Sequence, residues 1–204
     1  MSTDEHQNAR PGFLRNGGFM ADLILDRDWS DGLGPIDTWP AALRSALSIC
    51  LNSSFPTAIY WGPELRLLYN DSWSPIPGER HPWALGRPAA EVWSDIWDVV
   101  GPQFDAVMST GKVLSLYDQL LPMVRDGVQT ESYWNYSFTA IRDEFGNICG
   151  VFNQGNETTA AVLARRQTQE EIDRLGRLFA EAPAAIAITE GPSHVFKLVN
   201  PAYE

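Results

Sequence analysis

The stretch Glu131-Ser-Tyr-Trp-Asn-Tyr-Ser-Phe-Thr-Ala-Ile141 decides the fold class, because apolar and polar residues alternate along its second half. A period of two is typical of an antiparallel strand with one face buried and the other wet. The predicted apolar face consists of Trp134, Tyr136, Phe138 and Ala140, and the opposite face of Asn135, Ser137 and Thr139.

The next segment predicts a hairpin that continues directly into a helix. Residues 142–147 supply the turn, in which Gly146 can adopt the positive φ that a hairpin requires. Residues 148–152 form the partner strand, and the chain then passes through Glu157-Thr158-Thr159 into residues 160–179. This last segment has helix-forming composition and no proline. Because a strand so close to an outgoing helix is suited to passing strain outward, we interpret the chain as a sensor module whose output is that helix.

Composition and charge limit the class of protein. A chain of 204 residues holds one full domain and part of another, and 8 tryptophans supply a packed core. The net charge of -11 argues against binding to a nucleic-acid backbone. Cys50 and Cys149 lie in apolar segments, so buried reduced thiols are expected. No apolar run approaches the ~18–20 residues of a membrane span, and we expect a soluble cytoplasmic protein without a membrane partner.

The N-terminal third predicts an arm, two helices and two strands. Residues 1–18 are interpreted as a mobile arm, and residues 19–25 as a short helix. Asp37 or Thr38 is the predicted cap of an amphipathic helix that has Pro40 in its first turn. Short strands follow at residues 57–61 and 64–69. The apolar stripe of the amphipathic helix is formed by Trp39, Leu43, Ala46, Leu47, Cys50 and Leu51.

The middle of the chain predicts one long helix and the third strand. Residues 91–109 form the helix, which Gly111 closes. Residues 113–124 form the strand, broken by Pro122 and turned at Asp126-Gly127. With the hairpin described first, this makes five strands.

An internal sequence repeat predicts a second domain. Phe55-Pro56 is followed by Gly62-Pro63, an apolar strand and Asn70, whereas Ala182-Pro183 is followed by Gly191-Pro192, an apolar strand and Asn200. We therefore divide the chain into an arm (1–18), a first domain (19–159), a linker helix (160–179) and the start of a truncated second domain (180–204). On this interpretation the chain is a fragment of something longer.

Several short motifs between residues 28 and 166 are specific when taken jointly. They are Leu33-Gly-Pro-Ile-Asp-Thr-Trp-Pro40, Trp61-Gly-Pro-Glu-Leu65, Tyr69-Asn-Asp71, Arg80-His-Pro82, Ala84-Leu-Gly-Arg-Pro88, Glu91-Val-Trp93, Asp118-Gln-Leu-Leu-Pro122, Ile141-Arg-Asp143 and Glu157-Thr-Thr159. Together they resemble the N-terminal PAS modules of bacterial sensor histidine kinases and hybrid kinases. Residues 179–204 look like the beginning of a second PAS domain.

The resemblance implies an α+β PAS fold: a five-stranded antiparallel sheet with flanking short helices, an N-terminal amphipathic helix and a C-terminal signalling helix. It also implies roles for Glu157, Thr158 and Thr159, which stand where PAS domains have a closing Asp-Ile-Thr triad. Those residues couple the sheet to the exit helix, so the signal-relay role is carried over to these three. Glutamate in place of aspartate keeps the charge and lengthens the side chain.

Some PAS relatives hold haem, flavin or a small acid between sheet and helices. The flavin adduct needs a cysteine after a Gly-Arg-Asn-like turn, whereas here Gly86-Arg87-Pro88 leads to Ala89. The glutamine that contacts the flavin ring is replaced by Gly155. We therefore expect no cofactor, with non-covalent flavin as the minority alternative.

The sequence also lacks the residues that haem ligation, metal binding and catalysis would require. His81 is the only histidine within the first domain and precedes a proline, so we interpret it as a hydrogen-bonding residue in a turn and reject haem. Met108 is interpreted as a core or surface residue. His6, His81 and His194 are too dispersed for metal-ligand spacing, and no nucleophile motif is present. The chain is therefore predicted to have no catalytic residue and no metal.

The density of aromatic residues leaves two interpretations open. Core filling is favoured, because aromatic side chains bury large apolar areas. The alternative is a ligand cage, and its candidate lining is Tyr69, Trp73, Trp93, Trp97, Trp134, Tyr136 and Phe138.

The exit helix carries an imperfect heptad seam. One interpretation is a weak coiled coil poised between two states, and the other is a linker helix packed on its own domain. The seam residues are Ala161, Arg165, Thr168, Ile172, Leu175 and Phe179.

Our preferred hypothesis is a sensory and dimerisation module of a two-component phosphorelay system. It forms a homodimer through its N-terminal helices, its C-terminal helices or both, and it precedes a histidine kinase core in cis. The alternative is a receptor domain for a chromophore or aromatic metabolite.

Overall fold

The computed structural model describes residues 10–125 and 127–203, and the chain divides into two compact units that meet between Thr159 and Ala160. The first unit contains a five-stranded sheet in the order β2-β1-β5-β4-β3, with every neighbouring pair antiparallel. This confirms the predicted α+β PAS fold. The strands are β1 (Thr57–Trp61), β2 (Arg66–Tyr69), β3 (Leu114–Arg125), β4 (Val128–Arg142) and β5 (Ile148–Glu157).

The described part of the first unit also contains four α-helices. They are α1 (Gly18–Asp26), α2 (Ala41–Leu51), α3 (Ala89–Val92) and α4 (Trp97–Thr110). Helix α2 contacts β1 and β2, while α4 lies against β3, β4 and β5. The predicted apolar stripe supplies the buried face of α2, since Leu43, Leu47 and Cys50 are fully buried.

The prediction of one helix over residues 91–109 is wrong, because the chain leaves helical geometry between Val92 and Trp97. The carbonyl of Val92 accepts a hydrogen bond from the Arg80 guanidinium instead of continuing the helical ladder. The Asp95 carboxylate accepts from Arg80 Nη1 at 3.0 Å and from the Val124 amide at 2.9 Å. These tertiary bonds outweigh the local preference for helix.

Two smaller predictions are also wrong. Asp37 and Thr38 lie in a 3-10 turn, and Pro40 is the N-cap of α2, so no side chain caps this helix. Strand β3 runs through Pro122, which pairs with Glu131. β3 is an edge strand, and edge strands tolerate proline better than central strands, whose two neighbours both require ladder hydrogen bonds.

The predicted mobile arm lies partly outside the described residues, and its described part packs on the domain. Leu14 is fully buried, and the Asn52 side chain donates to the Arg15 carbonyl at 3.1 Å. The Asp71 carboxylate then caps α1, accepting from the Phe19 amide at 3.0 Å and the Met20 amide at 2.7 Å. A long-range cap of this kind could not be predicted from local spacing.

A single asparagine closes the β1–β2 hairpin. Asn70 Oδ1 accepts from the amides of Thr57 at 3.1 Å and Trp73 at 3.0 Å. Its Nδ2 donates to the carbonyls of Ser53 and Phe55, each at 2.8 Å. The side chain therefore ties both ends of the hairpin together, and it is 1% exposed.

The second unit contains helix α5 and a two-stranded sheet. These elements are α5 (Thr159–Glu181, whose first residue belongs to the first unit), β6 (Ala187–Glu190) and β7 (Val195–Val199). Asn200 Oδ1 accepts from the Ile186 amide at 2.8 Å, and Nδ2 donates to the carbonyls of Ala182 at 3.3 Å and Ala184 at 2.9 Å. Asn200 therefore occupies the same place in this hairpin as Asn70 does in the first.

The turns and registers of the two hairpins also correspond. Gly62 and Gly191 both have φ +74°, and each carbonyl accepts from the amide three residues later at 3.1 Å. The asparagine and the amide that it binds are 13 residues apart in the first hairpin and 14 in the second. A register shift in the β6–β7 pair accommodates the additional residue. It leaves Lys197, between Phe196 and Leu198, without a backbone partner on β6.

Candidate functional site

The three residues at the end of the first unit are bonded to two strands of its sheet. The Thr158 amide donates to the Tyr133 carbonyl at 2.7 Å, and Thr159 Oγ1 accepts from the Tyr133 amide at 2.9 Å. Thr159 Oγ1 also donates to Glu157 Oε1 at 2.6 Å. Since β5 ends at Glu157 and α5 begins at Thr159, the strand and the helix are joined through one residue whose backbone is fixed to β4.

A bulge in the edge strand completes this junction. Thr158 Oγ1 donates to Asp118 Oδ1 at 2.8 Å. Asp118 lies where the β3–β4 register shifts, and its φ of +49° is one that aspartate tolerates better than most residues. Its amide donates to Asn135 Oδ1 at 2.8 Å. The predicted relay residues Glu157, Thr158 and Thr159 thus meet a fourth residue, Asp118, which the sequence did not single out for this role.

A cavity of about 50 Å³ lies inside the first unit. It is bounded by β1, β3, β4 and β5 together with α4 and the loops that precede it. Five of the seven predicted aromatic residues line it, whereas Tyr69 and Trp97 do not. The lining consists of Tyr60, Trp73, Ile76, Trp93, Ile96, Val100, Phe104, Leu121, Met123, Trp134, Tyr136, Phe138, Asn153 and Gly155.

The two predicted residues outside the lining make other contacts. Tyr69 Oη lies 2.8 Å from His81 Nδ1, so His81 is the hydrogen-bonding turn residue that the sequence predicted. Trp97 stacks on Phe104 with ring centroids 5.9 Å apart. Phe104 in turn stacks on Phe138 with ring centroids 4.4 Å apart and an interplanar angle of 16°, so aromatic rings pack between α4 and β4.

Two buried hydroxyl groups border the cavity. Tyr60 Oη accepts from Trp93 Nε1 at 3.0 Å, and burial raises the pKa of Tyr60 above its usual range. Tyr136 Oη donates to Gln103 Oε1 at 2.7 Å, and burial raises the pKa of Tyr136 to about 12. Both phenols therefore stay protonated and neutral at physiological pH.

Two further polar atoms of the lining have no hydrogen-bond partner among the described protein groups: Trp73 Nε1 and Asn153 Oδ1. Both residues are at least 95% buried, with exposures of 5% and 3%. An unsatisfied buried donor and acceptor cost about 1–3 kcal/mol each. The cavity thus offers one donor and one acceptor to a water or a small polar molecule.

The sequence missed Tyr60, Asn153 and Gln103. Tyr60 lies on a strand in which every residue is buried, so no alternation marks its inward face. Asn153 is a polar residue on a buried strand position, which is the one signal that could have drawn attention to it. Gln103 reaches the site from α4, and its partner Tyr136 is 33 residues away in the sequence.

Flavin and haem do not fit the residues present. A side chain at Gly155 would begin 2.7 Å from Tyr136 Cβ and 2.8 Å from the Asn135 carbonyl oxygen, so the flavin-contacting glutamine cannot be placed there. A cavity of about 50 Å³ is one third of the ~150 Å³ that accommodates benzene in an engineered protein core. No histidine lies among the residues that line it.

Metal binding and the two cysteines were also considered in the sequence. In the described part of the chain, no group of three or more His, Cys, Asp or Glu side chains is placed to hold a metal ion. Cys50 is buried, donates to the Thr57 carbonyl at 3.3 Å, and has a pKa raised by burial. Cys149 is half-buried, so the expectation that both thiols are buried is wrong for this residue. Within the described ranges, no helix has the length and apolarity needed to cross a membrane.

No family model and no curated protein matches the chain. Among solved structures, an RNA-binding light-oxygen-voltage receptor is 16% identical with a TM-score of 0.46, over 62% of this chain and 35% of its own length. A sensory box sensor histidine kinase from Vibrio cholerae is 14% identical with a TM-score of 0.39, over 51% and 78% of the two chains. The Vibrio cholerae VqmA dimer, a LuxR-type DNA-binding receptor, is 19% identical with a TM-score of 0.39, over 52% and 47%.

These likenesses concern the fold alone. The class of the first unit is defined by its own sheet: five antiparallel strands in the order 2-1-5-4-3, with helices between β2 and β3 and a helix leaving the last strand. This is the PAS fold.

Proposed function

We propose that the chain is a sensory PAS module that relays a signal through α5 to a histidine kinase of a two-component system. In this proposal the chain forms a homodimer, performs no catalysis and precedes the kinase core in cis. Residues 180–204 begin a second PAS domain, which lies between the module and the kinase.

The junction at Thr158 carries this proposal. Thr158 is held through its amide by β4 and through its hydroxyl by the bulge of β3, while its neighbour Thr159 is the first residue of α5. A rearrangement of the edge strand therefore acts on the position where the helix starts. This supports a relay in which the register of two α5 helices reports the state of the sheet.

The surface of α5 supports pairing with a second copy. Ile172 and Leu175 are each 56% exposed and lie on the predicted seam. The adjacent Leu178 is 58% exposed. Exposed large apolar residues that recur about once per helical turn are typical of a helix surface that a partner covers.

The repeated hairpin supports the second-domain assignment. Asn70 and Asn200 make matching sets of hydrogen bonds across hairpins with matching turns. An isolated hairpin is marginally stable in water, so the strands of β6 and β7 need a further layer.

The relay is tested by replacing Thr158 with valine in the chain fused ahead of a histidine kinase core. Thr158→Val removes the bond to Asp118 and keeps the side-chain shape and the backbone bond to Tyr133. We expect the autophosphorylation rate to change about fivefold, which corresponds to one hydrogen bond of ~1 kcal/mol.

Thr110→Val is the matched control, since the exposed Thr110 hydroxyl donates to the Ala106 carbonyl of its own helix, α4, at 2.6 Å and belongs neither to the junction nor to the α5 seam. The control should leave the kinase rate unchanged. Equal rates for Thr158→Val and the parent fusion, in a protein with unaltered circular dichroism, would contradict the relay.

A second candidate function is reception of a small ligand in the cavity. It is favoured by the unsatisfied Trp73 Nε1 and Asn153 Oδ1, which offer a donor and an acceptor to a neutral guest. The absorbance spectrum of the purified chain separates this candidate from a chromophore receptor. We expect no band in the visible region, and a flavin or haem band would overturn the proposal that no cofactor is resident.

A further inference from the structure

Three arginines from separate segments converge beside the outer edge of β2. Residues 86–88 run along this edge: the Gly86 amide donates to the Leu67 carbonyl at 2.7 Å, and the Leu67 amide donates to the Arg87 carbonyl at 3.0 Å. Arg66 Nη1 donates to the Gly86 carbonyl at 3.0 Å. Arg66 therefore contacts Gly86, and Arg87 is the next residue along the chain.

The third arginine comes from the segment after α1. A methyl group on Gly86 would lie 2.6 Å from the Trp29 ring and 2.9 Å from Arg27 Nε, so both side chains press against this glycine. The absence of a side chain at Gly86 thus lets Arg27 approach the other two. We call Arg27, Arg66 and Arg87 the arginine cluster.

Acidic side chains compensate the cluster incompletely. Arg66 is paired with Glu64 at 2.7 Å, whereas Arg87 and Glu91 are 3.9 Å apart with both side chains more than 40% exposed, a weak pair. Arg27 has no ion pair among the residues that the structure describes. Burial, and after it the charges of Arg87 and Arg66, lower the pKa of Arg27.

Two of the three guanidinium groups are fixed by aromatic rings. Arg27 Cζ lies 5.2 Å from the centroid of Trp29, and Arg87 Cζ lies 5.2 Å from that of Trp83. Stacking holds a guanidinium plane in place and leaves its edge donors available for an anion. Arg87 Nε is buried without an acceptor among the described groups, and the Trp83 side chain is 46% exposed beside it.

We propose that the arginine cluster is a binding site for a small phosphate monoester. A monoester carries a charge of about -1.5 to -2 at neutral pH, and its oxygens match the paired donors of guanidinium groups. A single carboxylate would compensate one of the two arginines that lack a close carboxylate, whereas a dianion compensates both. Trp83 supplies an aromatic surface on which a planar base attached to the phosphate can stack.

The test uses the full chain at low salt with two probes, inorganic phosphate and AMP, measured by calorimetric titration. We expect both to bind, and AMP more tightly. Arg27→Gln should weaken both probes about tenfold or more, since a charge-assisted hydrogen bond is lost. Trp83→Ala should weaken AMP and leave phosphate unchanged.

Lys112→Gln is the matched control, because Lys112 is exposed just before β3, at the sheet edge opposite β2, and its replacement changes the net charge by the same amount. The affinities of this variant should stay within about twofold of those of the parent chain, as expected for a screened distant charge. Equal losses for Arg27→Gln and Lys112→Gln would overturn the site, as would the absence of binding by the parent chain.

Folding of the variants is checked by thermal unfolding. Removing Arg27 relieves repulsion within the cluster, so Arg27→Gln should unfold at the same temperature as the parent chain or higher. Phosphate should raise the unfolding temperature of the parent chain and not that of the variant, because a ligand stabilises only a state that binds it. A single-stranded oligonucleotide that binds more tightly than AMP would overturn the small-molecule assignment.

Discussion

The β1–β2 hairpin and the β6–β7 hairpin are built by the same local bonds and differ in burial. Asn70 and Asn200 are both buried and close their hairpins in the same way. Every residue of β1 is buried, whereas β6 and β7 are largely exposed, with Phe196 58% and Leu198 51% exposed. The comparison shows that an asparagine and a glycine turn can form the hairpin, while its burial depends on neighbouring elements.

The difference follows from what lies beside each hairpin. Strand β1 pairs with β5 from Thr57 to Trp61, and α2 packs against β1 and β2. Among the described residues, β6 and β7 pair only with each other. Local hydrogen bonds are satisfied in both hairpins, but the apolar side chains of the second lack the layer that the sheet and helices give the first.

The largest expected contrast comes from truncating equivalent leucines. Leu68 and Leu198 each stand two residues before the asparagine, and they are 0% and 51% exposed. Leu68→Ala should lower the free energy of unfolding by about 2–5 kcal/mol, because it opens a cavity in the core. Leu198→Ala should change it by less than about 0.5 kcal/mol. Urea unfolding followed by tryptophan fluorescence measures both, and equal losses would show that the second hairpin is buried in solution.

A smaller contrast is expected from the asparagines themselves. Asn70→Ala removes four hydrogen bonds at a buried position and should cost about 2–4 kcal/mol of unfolding free energy. Asn200→Ala should leave the unfolding of the first unit unchanged and increase amide exchange at Ile186, whose N–H loses its acceptor. Hydrogen exchange by mass spectrometry resolves the two hairpins. Unchanged exchange at Ile186 would contradict the correspondence between the asparagines.

The smallest expected contrast is in the free energy of unfolding at acidic pH. Burial opposes ionisation of Asp95, but the hydrogen bonds from Arg80 and Val124 and the charge of Arg80 outweigh it and lower its pKa. This contribution to stability is therefore complete above the unfolded pKa of about 3.9 and is lost as the pH falls through the lower folded pKa. We expect less than about 1 kcal/mol, because the ion pair is partly exposed.

The measurement compares urea unfolding of the parent chain and Asp95→Asn at pH 6 and in acid. Asp95→Asn should flatten the acid-dependent part of the stability curve. The side chain of Asn200 is uncharged and contributes no such dependence to the second hairpin. An identical acid response in the variant would assign the loss to other carboxylates.

Much of the fold could be predicted because its signals are local. The alternation at Trp134, Tyr136 and Phe138 places these side chains inward, and all three are buried. The interruption between Val92 and Trp97 could not be predicted, because Arg80 and Asp95 meet through tertiary packing across a gap of 15 residues. For the same reason, the sequence predicted only part of the candidate site. Gln103 and Asn153 reach it from elements whose apolar patterns do not distinguish these two residues from their neighbours.

By itself, the sequence determined the five strands, the repeated hairpin and the position of the exit helix, since these depend on the period of apolar residues and on a glycine and an asparagine at similar spacings. The tertiary structure decided which side chains meet: Thr158 with Asp118 at the junction, and Arg27 with Arg66 and Arg87 around Gly86. These contacts join residues about 20 to 60 positions apart, and only the pairing of strands and the crossing of loops brings them together.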